Sequence, residues 1–148
     1  MYTAKLKRGM AQDIALILGG TIAPKEVVDM KTMRILLKIG DKCEEQLAGL
    51  KEEQQKLDDS MKAYRARYAE ITDEEEKKAL NKTAEAEAKP FVDRMNEIRE
   101  EECVIEFSDD QIDMLRKSFK KQIADNLKSA KYAVELADRL EVPDEEAK

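Results

Sequence analysis

The chain has 148 residues, a net charge of -6 from 27 basic and 33 acidic side chains, 41% charged and 5% aromatic residues, and no histidine or tryptophan. Opposite charges that nearly cancel exclude a chain that binds nucleic acid through its overall charge. Without histidine, and with only two cysteines, the Ser-His and Cys-His nucleophilic pairs and the four-ligand Cys/His zinc sites are excluded as well.

The hydrophobic residues fall in periodic stripes, which argues for folded helices rather than disorder. Tyr2, Ala4 and Leu6 alternate with Thr3, Lys5 and Lys7, the period-two pattern of a short half-buried strand. Between Gly9 and Gly19, Met10, Ile14, Ile17 and Leu18 share one helical face, and Gly19-Gly20 supplies a stop. The run Leu18-Gly19-Gly20-Thr21 lacks the Gly-Lys-Ser/Thr ending of a phosphate loop and reads as that stop. Thr21 to Glu26 reads as a turn, with Pro24 near a new helix start and Glu26 favourable at its positive end.

From there to Ile71 no proline occurs, and the pattern predicts one helix on the order of 70 Å long. Met33, Leu36, Gly40, Cys43, Leu47, Leu50, Gln54, Leu57, Met61, Tyr64, Tyr68 and Ile71 alternate between spacings of three and four, the seam of a coiled coil. Its first third, with Val27, Val28, Met30, Ile35, Leu37 and Ile39 beside the seam, is apolar on more than one face. Beyond Cys43 only the seam is apolar. The helix therefore enters a multi-sided core at one end and a two-helix contact at the other. Cys43 and Cys103 lie at or beside apolar stripes and read as buried reduced thiols.

Thr72-Asp73-Glu74-Glu75 is a capping-box pattern that marks the turn into a return helix. Leu80, Ala84, Ala88, Phe91, Met95 and Ile98 form its stripe, and Pro90 predicts a kink or break near Ala88 to Phe91. Cys103, Ile105 and Phe107 alternate with Val104 and Glu106, a second strand that must pair with the first because neither can satisfy its backbone alone. A third long helix starts after Ser108 or Asp109 and carries Ile112, Leu115, Phe119, Ile123, Leu127, Ala130, Val134, Ala137 and Leu140, ending at Val142-Pro143.

The fold expected is mainly α: a long antiparallel coiled-coil helical hairpin projecting from a small helical base, with a two-stranded ribbon over about residues 2–7 and 103–107. Residues 1–148 form one domain, with a base of 1–42 and 103–142, a hairpin of 43–102 and a frayed tail of 143–148. No run approaches the ~20 apolar residues that cross a bilayer, and the short apolar run Ile14 to Leu18 is not a signal-peptide core. A cytoplasmic location is the expectation.

No catalytic, cofactor-binding or metal-binding residues are expected. Glu100-Glu101-Glu102 and Asp109-Asp110-Asp113 read as solvated helix ends. Tyr64, Arg65, Arg67 and Tyr68 near the hairpin tip combine the aromatic and guanidinium groups that protein interfaces favour. Arg116, Lys117, Lys120, Lys121, Lys128 and Lys131, opposed in that stretch only by Asp125, form a basic face that could meet an acidic partner.

The stretch Met33 to Ile39, the charged seam through Leu57, the segment Phe91 to Ile98 and the strand Val104 to Phe107 resemble a family of small uncharacterised proteins of phages and prophages of Gram-positive bacteria. The resemblance rests on the order of elements and implies a phage or prophage origin and nothing finer; the location expected is the host cytoplasm, with association with the virion as the alternative. It carries over no activity and no catalytic residue. The expected function is a non-catalytic interaction protein, an accessory, assembly or host-directed factor that grips a host or phage protein. The alternatives are a virion component that self-associates through Val27, Val28, Met30 and Ile35, and a nucleic-acid binder using the basic face of the C-terminal helix.

Overall fold

The computed structural model describes residues 1–20 and 29–144. The turn expected over Thr21 to Glu26, the apolar pair Val27 and Val28, and the end of the tail from Glu145 lie outside the described residues. The chain is mainly helical, with one small antiparallel sheet. It divides into two compact units: Met1–Leu47 with Glu101–Lys148, and Ala48–Glu100.

In the first unit, strand β1 (Tyr2–Lys7) pairs antiparallel with β2 (Glu102–Phe107), Ala4 opposite Ile105 and Leu6 opposite Cys103. The alternation read from the sequence puts Ala4, Leu6, Cys103, Ile105 and Phe107 on the buried face. Two strands alone leave two open edges, and a cation serves each. Lys42 Nζ donates to the Glu106 carbonyl at 2.7 Å, and Arg139 Nη1 donates to the Lys5 carbonyl at 3.1 Å.

Helix α1 (Arg8–Gly20) follows β1 directly and buries Met10, Ala11, Ile14, Ile17 and Leu18. It packs on α2 (Met30–Glu44), whose Leu36, Ile39, Gly40 and Cys43 are buried. A Cβ placed on Gly40 would lie 3.6 Å from Leu18 Cβ, an ordinary van der Waals contact, so the two helices meet closely at a position where an alanine would also fit. Asp29 caps α2 by accepting a hydrogen bond from the Thr32 amide at 2.8 Å, which holds its carboxyl below the usual range.

After β2, Ser108 and Gln111 form a reciprocal capping box at the start of helix α5 (Asp109–Ser118). Gln111 Oε1 also accepts from Lys42 Nζ at 2.7 Å, tying the cap of α5 to the same lysine that serves the edge of β2. Ile112, Leu115, Phe119 and Ile123 carry the core onward, and Leu136 and Leu140 close it.

The second unit is an antiparallel helical hairpin. Helix α3 (Ala48–Glu70) faces α4 (Glu74–Glu100), with Gly49 against Ile98, Tyr64 bonded to Glu87 and Lys77 over the ring of Tyr68. Most seam positions are shielded: Leu50 is buried and Leu57, Met61 and Tyr64 are half-buried, while Gln54 and Tyr68 are exposed. Opposite them Leu80 and Ile98 are buried, and Ala84, Ala88, Phe91 and Met95 half-buried.

Four local expectations change. The single helix predicted through Ile71 is interrupted by a 3-10 turn at Glu45–Leu47, where the Glu45 amide is shared between the Asp41 and Cys43 carbonyls. The return helix is capped by Asp73, not Thr72: Asp73 accepts from the Lys77 amide through its carbonyl and from the Glu75 amide through its side chain. Pro90 does not break α4, which stays helical from Glu74 to Glu100. The proline is exposed, and Ala86, whose carbonyl loses its amide partner to the proline, is exposed to water too.

The third long helix is not one helix. It passes into a π turn at Phe119–Ile123 and a 3-10 turn at Ala124–Asn126, becomes extended at Leu127 (φ -90, ψ 149), and restarts as α6 (Ala130–Arg139). The restart is set by Ser129, whose hydroxyl accepts from the Tyr132 amide at 3.2 Å.

Candidate functional site

Two open clefts collect most of the residues singled out from the sequence, one in each unit. The cleft of the hairpin has a volume of about 360 Å³ and is lined by Met61, Tyr64, Arg65, Tyr68, Leu80, Asn81 and Ala84. It exists because large seam residues on α3 meet a small one, Ala84, on α4, so the two backbones do not fill the space between them. The Tyr64 hydroxyl bonds the Glu87 carboxylate, which raises the phenol above its ordinary range and keeps it a proton donor. Tyr68 is 40% exposed, with Lys77 Nζ 5.2 Å from its ring centroid. Arg65 reaches back along its own helix to Asp58 at 3.4 Å.

Arg67, expected to act with these residues, does not line the cleft. On a helix Arg65 and Arg67 lie on opposite flanks of the stripe formed by Tyr64 and Tyr68, and the cleft opens on the Arg65 side. Met61, Leu80 and Ala84 read in sequence only as seam, and Asn81 carries no signal at all. A polar residue beside a seam leucine looks the same in sequence whether it faces a cleft or bulk water.

The second cleft, in the unit formed by the chain ends, is a groove of about 930 Å³. One wall comes from α5 and the π turn, with Arg116, Lys117, Phe119 and Lys120; the other comes from α6, with Ala133, Val134 and Ala137. Glu141, Val142, Pro143 and Asp144 line it beyond the end of α6.

Of the basic residues, Arg116 is committed to the fold. Its Nε donates to the Leu140 carbonyl at 2.8 Å, its Nη2 lies 3.6 Å from Glu141, and its guanidinium stacks 4.8 Å from the Tyr2 ring centroid. Lys121, Lys128 and Lys131 are exposed and do not line the groove. The helix break separates Arg116 to Lys121, on α5 and the π turn, from Lys128 and Lys131, at the bend and the start of α6. The six cations therefore do not share one helical face.

Helix α6 ends in a Schellman turn. The Glu141 amide donates to the Asp138 carbonyl and the Val142 amide to the Ala137 carbonyl, with Glu141 at φ 54 where glycine is the usual residue. The same helix is fastened by Tyr132, whose hydroxyl donates to Asp13 at 2.7 Å, and by Arg139, whose guanidinium grips the Glu102 carboxylate at 2.9 and 3.0 Å. That grip holds the Glu102 carboxyl below its ordinary range.

The acidic clusters have structural partners as well: Glu101 pairs with Arg8 at 2.7 Å and Asp109 with the N-terminal amine at 3.0 Å. Both thiols are free and buried, and burial pushes the Cys43 thiol up to about 12, so it stays protonated. Among the described residues no group of three or more Cys, Asp or Glu side chains is placed to hold a metal ion, and no helix is long and apolar enough to cross a membrane. Comparison of the chain with protein-family models, with curated proteins and with solved structures gives no match.

Proposed function

We propose that the protein is a non-catalytic helical interaction protein of phage or prophage origin, which grips a host or phage protein with the cleft of its hairpin. One observation carries this reading: Tyr64, Arg65 and Tyr68 border a single open cleft with Met61, Leu80 and Ala84. Tyrosine and arginine around an apolar pocket are the groups that dominate binding energy at protein interfaces. Each tyrosine offers a large flat surface with few torsions to freeze, and Arg65 adds a charged donor at the rim. A partner side chain entering between the tyrosines would be desolvated by Met61 and Leu80.

The test is capture from host and phage lysates with the full chain and with Tyr68→Ala and Arg65→Ala variants, each checked for unchanged circular dichroism. A partner held by this cleft is recovered by the wild type and weakened by about thirtyfold in the tyrosine variant, the effect of losing about 2 kcal/mol at a hot spot. Equal recovery by wild type and both variants would sink the reading.

A further inference from the structure

We infer that the α5–α6 groove is an interface between two copies of this chain, in which two α6 helices pack antiparallel about a twofold axis. This surface is separate from the hairpin cleft, and neither reading depends on the other. The inference starts from α6, which carries two apolar faces. Leu136 and Leu140 are buried in the core, whereas Ala130, Val134 and Ala137 form a second stripe at helical spacing, with Val134 59% exposed. Alanines on both sides of the valine allow two helix backbones to approach closely.

Charge chooses the occupant. The groove has a cationic wall, Lys117 and Lys120, and carboxylates at Asp113, Glu141 and Asp144. A nucleic-acid backbone, uniformly anionic, would be repelled by those acids, and Arg116 is already held by Leu140 and Glu141. On the outer face of α6, beside the groove, Lys131 stands about one turn before Val134 and Asp138 about one turn after it, all three exposed. A face with opposite signs at its two ends suits a copy of itself reversed, which is what a twofold axis generates. With Val134 near the axis, antiparallel α6 helices bring Lys131 of each copy opposite Asp138 of the other. The acids beyond the end of one α6 then approach the Lys120 end of the opposite groove. Each favourable pair occurs twice, and the exposed valines are covered by each other.

Sedimentation of the full chain between about 5 and 500 µM tests this, since a dimer's population depends on concentration. The expected result is a monomer that converts to a dimer across this range, a Val134→Glu variant that stays monomeric with unchanged circular dichroism, and a Lys131→Asp variant weakened at least tenfold. Adding Asp138→Lys to Lys131→Asp restores the opposite charges and should restore the dimer. A monomer at every concentration, a dimer untouched by Val134→Glu, or a double variant no stronger than the single one each overturns the inference. Retardation of DNA by the wild type but not by a Lys117→Glu/Lys120→Glu variant would overturn it in favour of a nucleic-acid site.

Discussion

The two units keep the chain folded by different means. The unit built from the chain ends has a many-sided core, with Leu6, Met10, Ile14, Ile39, Phe107, Leu115, Ile123, Leu136 and Leu140 all fully enclosed. In the hairpin, among the described residues, Leu50, Leu80 and Ile98 are the buried apolar side chains, and the rest of the seam keeps one flank in water. Two helices can cover only one stripe of each other, whereas helices laid around a ribbon cover several. Stability is therefore concentrated in the first unit, and the hairpin holds its candidate binding residues on a more loosely secured element.

The sharpest way to break this contrast is a pair of truncations. Phe107→Ala removes a ring with 0% exposure and is expected to cost about 3–5 kcal/mol in urea denaturation. Met61→Ala, at a half-buried seam position, is expected to cost about 1 kcal/mol, since only part of the side chain leaves an apolar environment. Hydrogen exchange should follow the same order, with amides of α3 and α4 exchanging well before the amides of β1 and β2 that bond across the ribbon. Equal costs in the two units would show that the hairpin is as firmly held as the core.

A smaller effect is expected at Glu141. Glycine there relieves a left-handed backbone, so Glu141→Gly should raise stability by about 0.5–1 kcal/mol, less whatever the exposed pair with Arg116 contributes. A lower melting temperature would mean that the ion pair outweighs the strain.

The smallest effect is electrostatic. The folded-state pKa of Glu102 is depressed from 4.5 by Arg139, so its contribution is fully present above pH 4.5 and is lost as pH falls through the lower folded value. Because the carboxylate is about half exposed, the loss is modest. Arg139→Met should flatten the acid limb of the stability curve and leave its neutral region with a constant offset. An unchanged acid limb would remove the pair from the account.

Much of this architecture is legible in the sequence because burial leaves a period. The ribbon follows from two alternating runs that have no other partner, and the hairpin from spacings of three and four on both of its helices. The break before α6 is not legible in that way, because Ile123, Leu127, Ala130 and Val134 continue the stripe across it. The available signal is Ser129 followed by a short apolar pattern, a cap that can be read only once the helix before it is known to end. Pro90 misleads in the other direction: its cost depends on which side of the helix meets water, and composition does not tell that. Among the candidate residues, Tyr64 and Tyr68 are legible because aromatics on a charged helix stand out. Val134 is not, because a valine on a stripe looks like core until the opposite face is seen to be the buried one.

The antiparallel ribbon joins segments that are distant along the chain; Arg8 and Glu101, which bond beside it, are 93 residues apart. Bringing such distant ends together from an open coil is entropically slow, and each halving of the loop lowers the cost by about 0.6 kcal/mol. Contacts between α3 and α4 begin close in sequence at the tip and widen until Gly49 lies beside Ile98, so early formation of the hairpin removes about half of the intervening chain. The weaker unit is thereby cast as the one that forms first, and the order of assembly becomes the reverse of the order of stability.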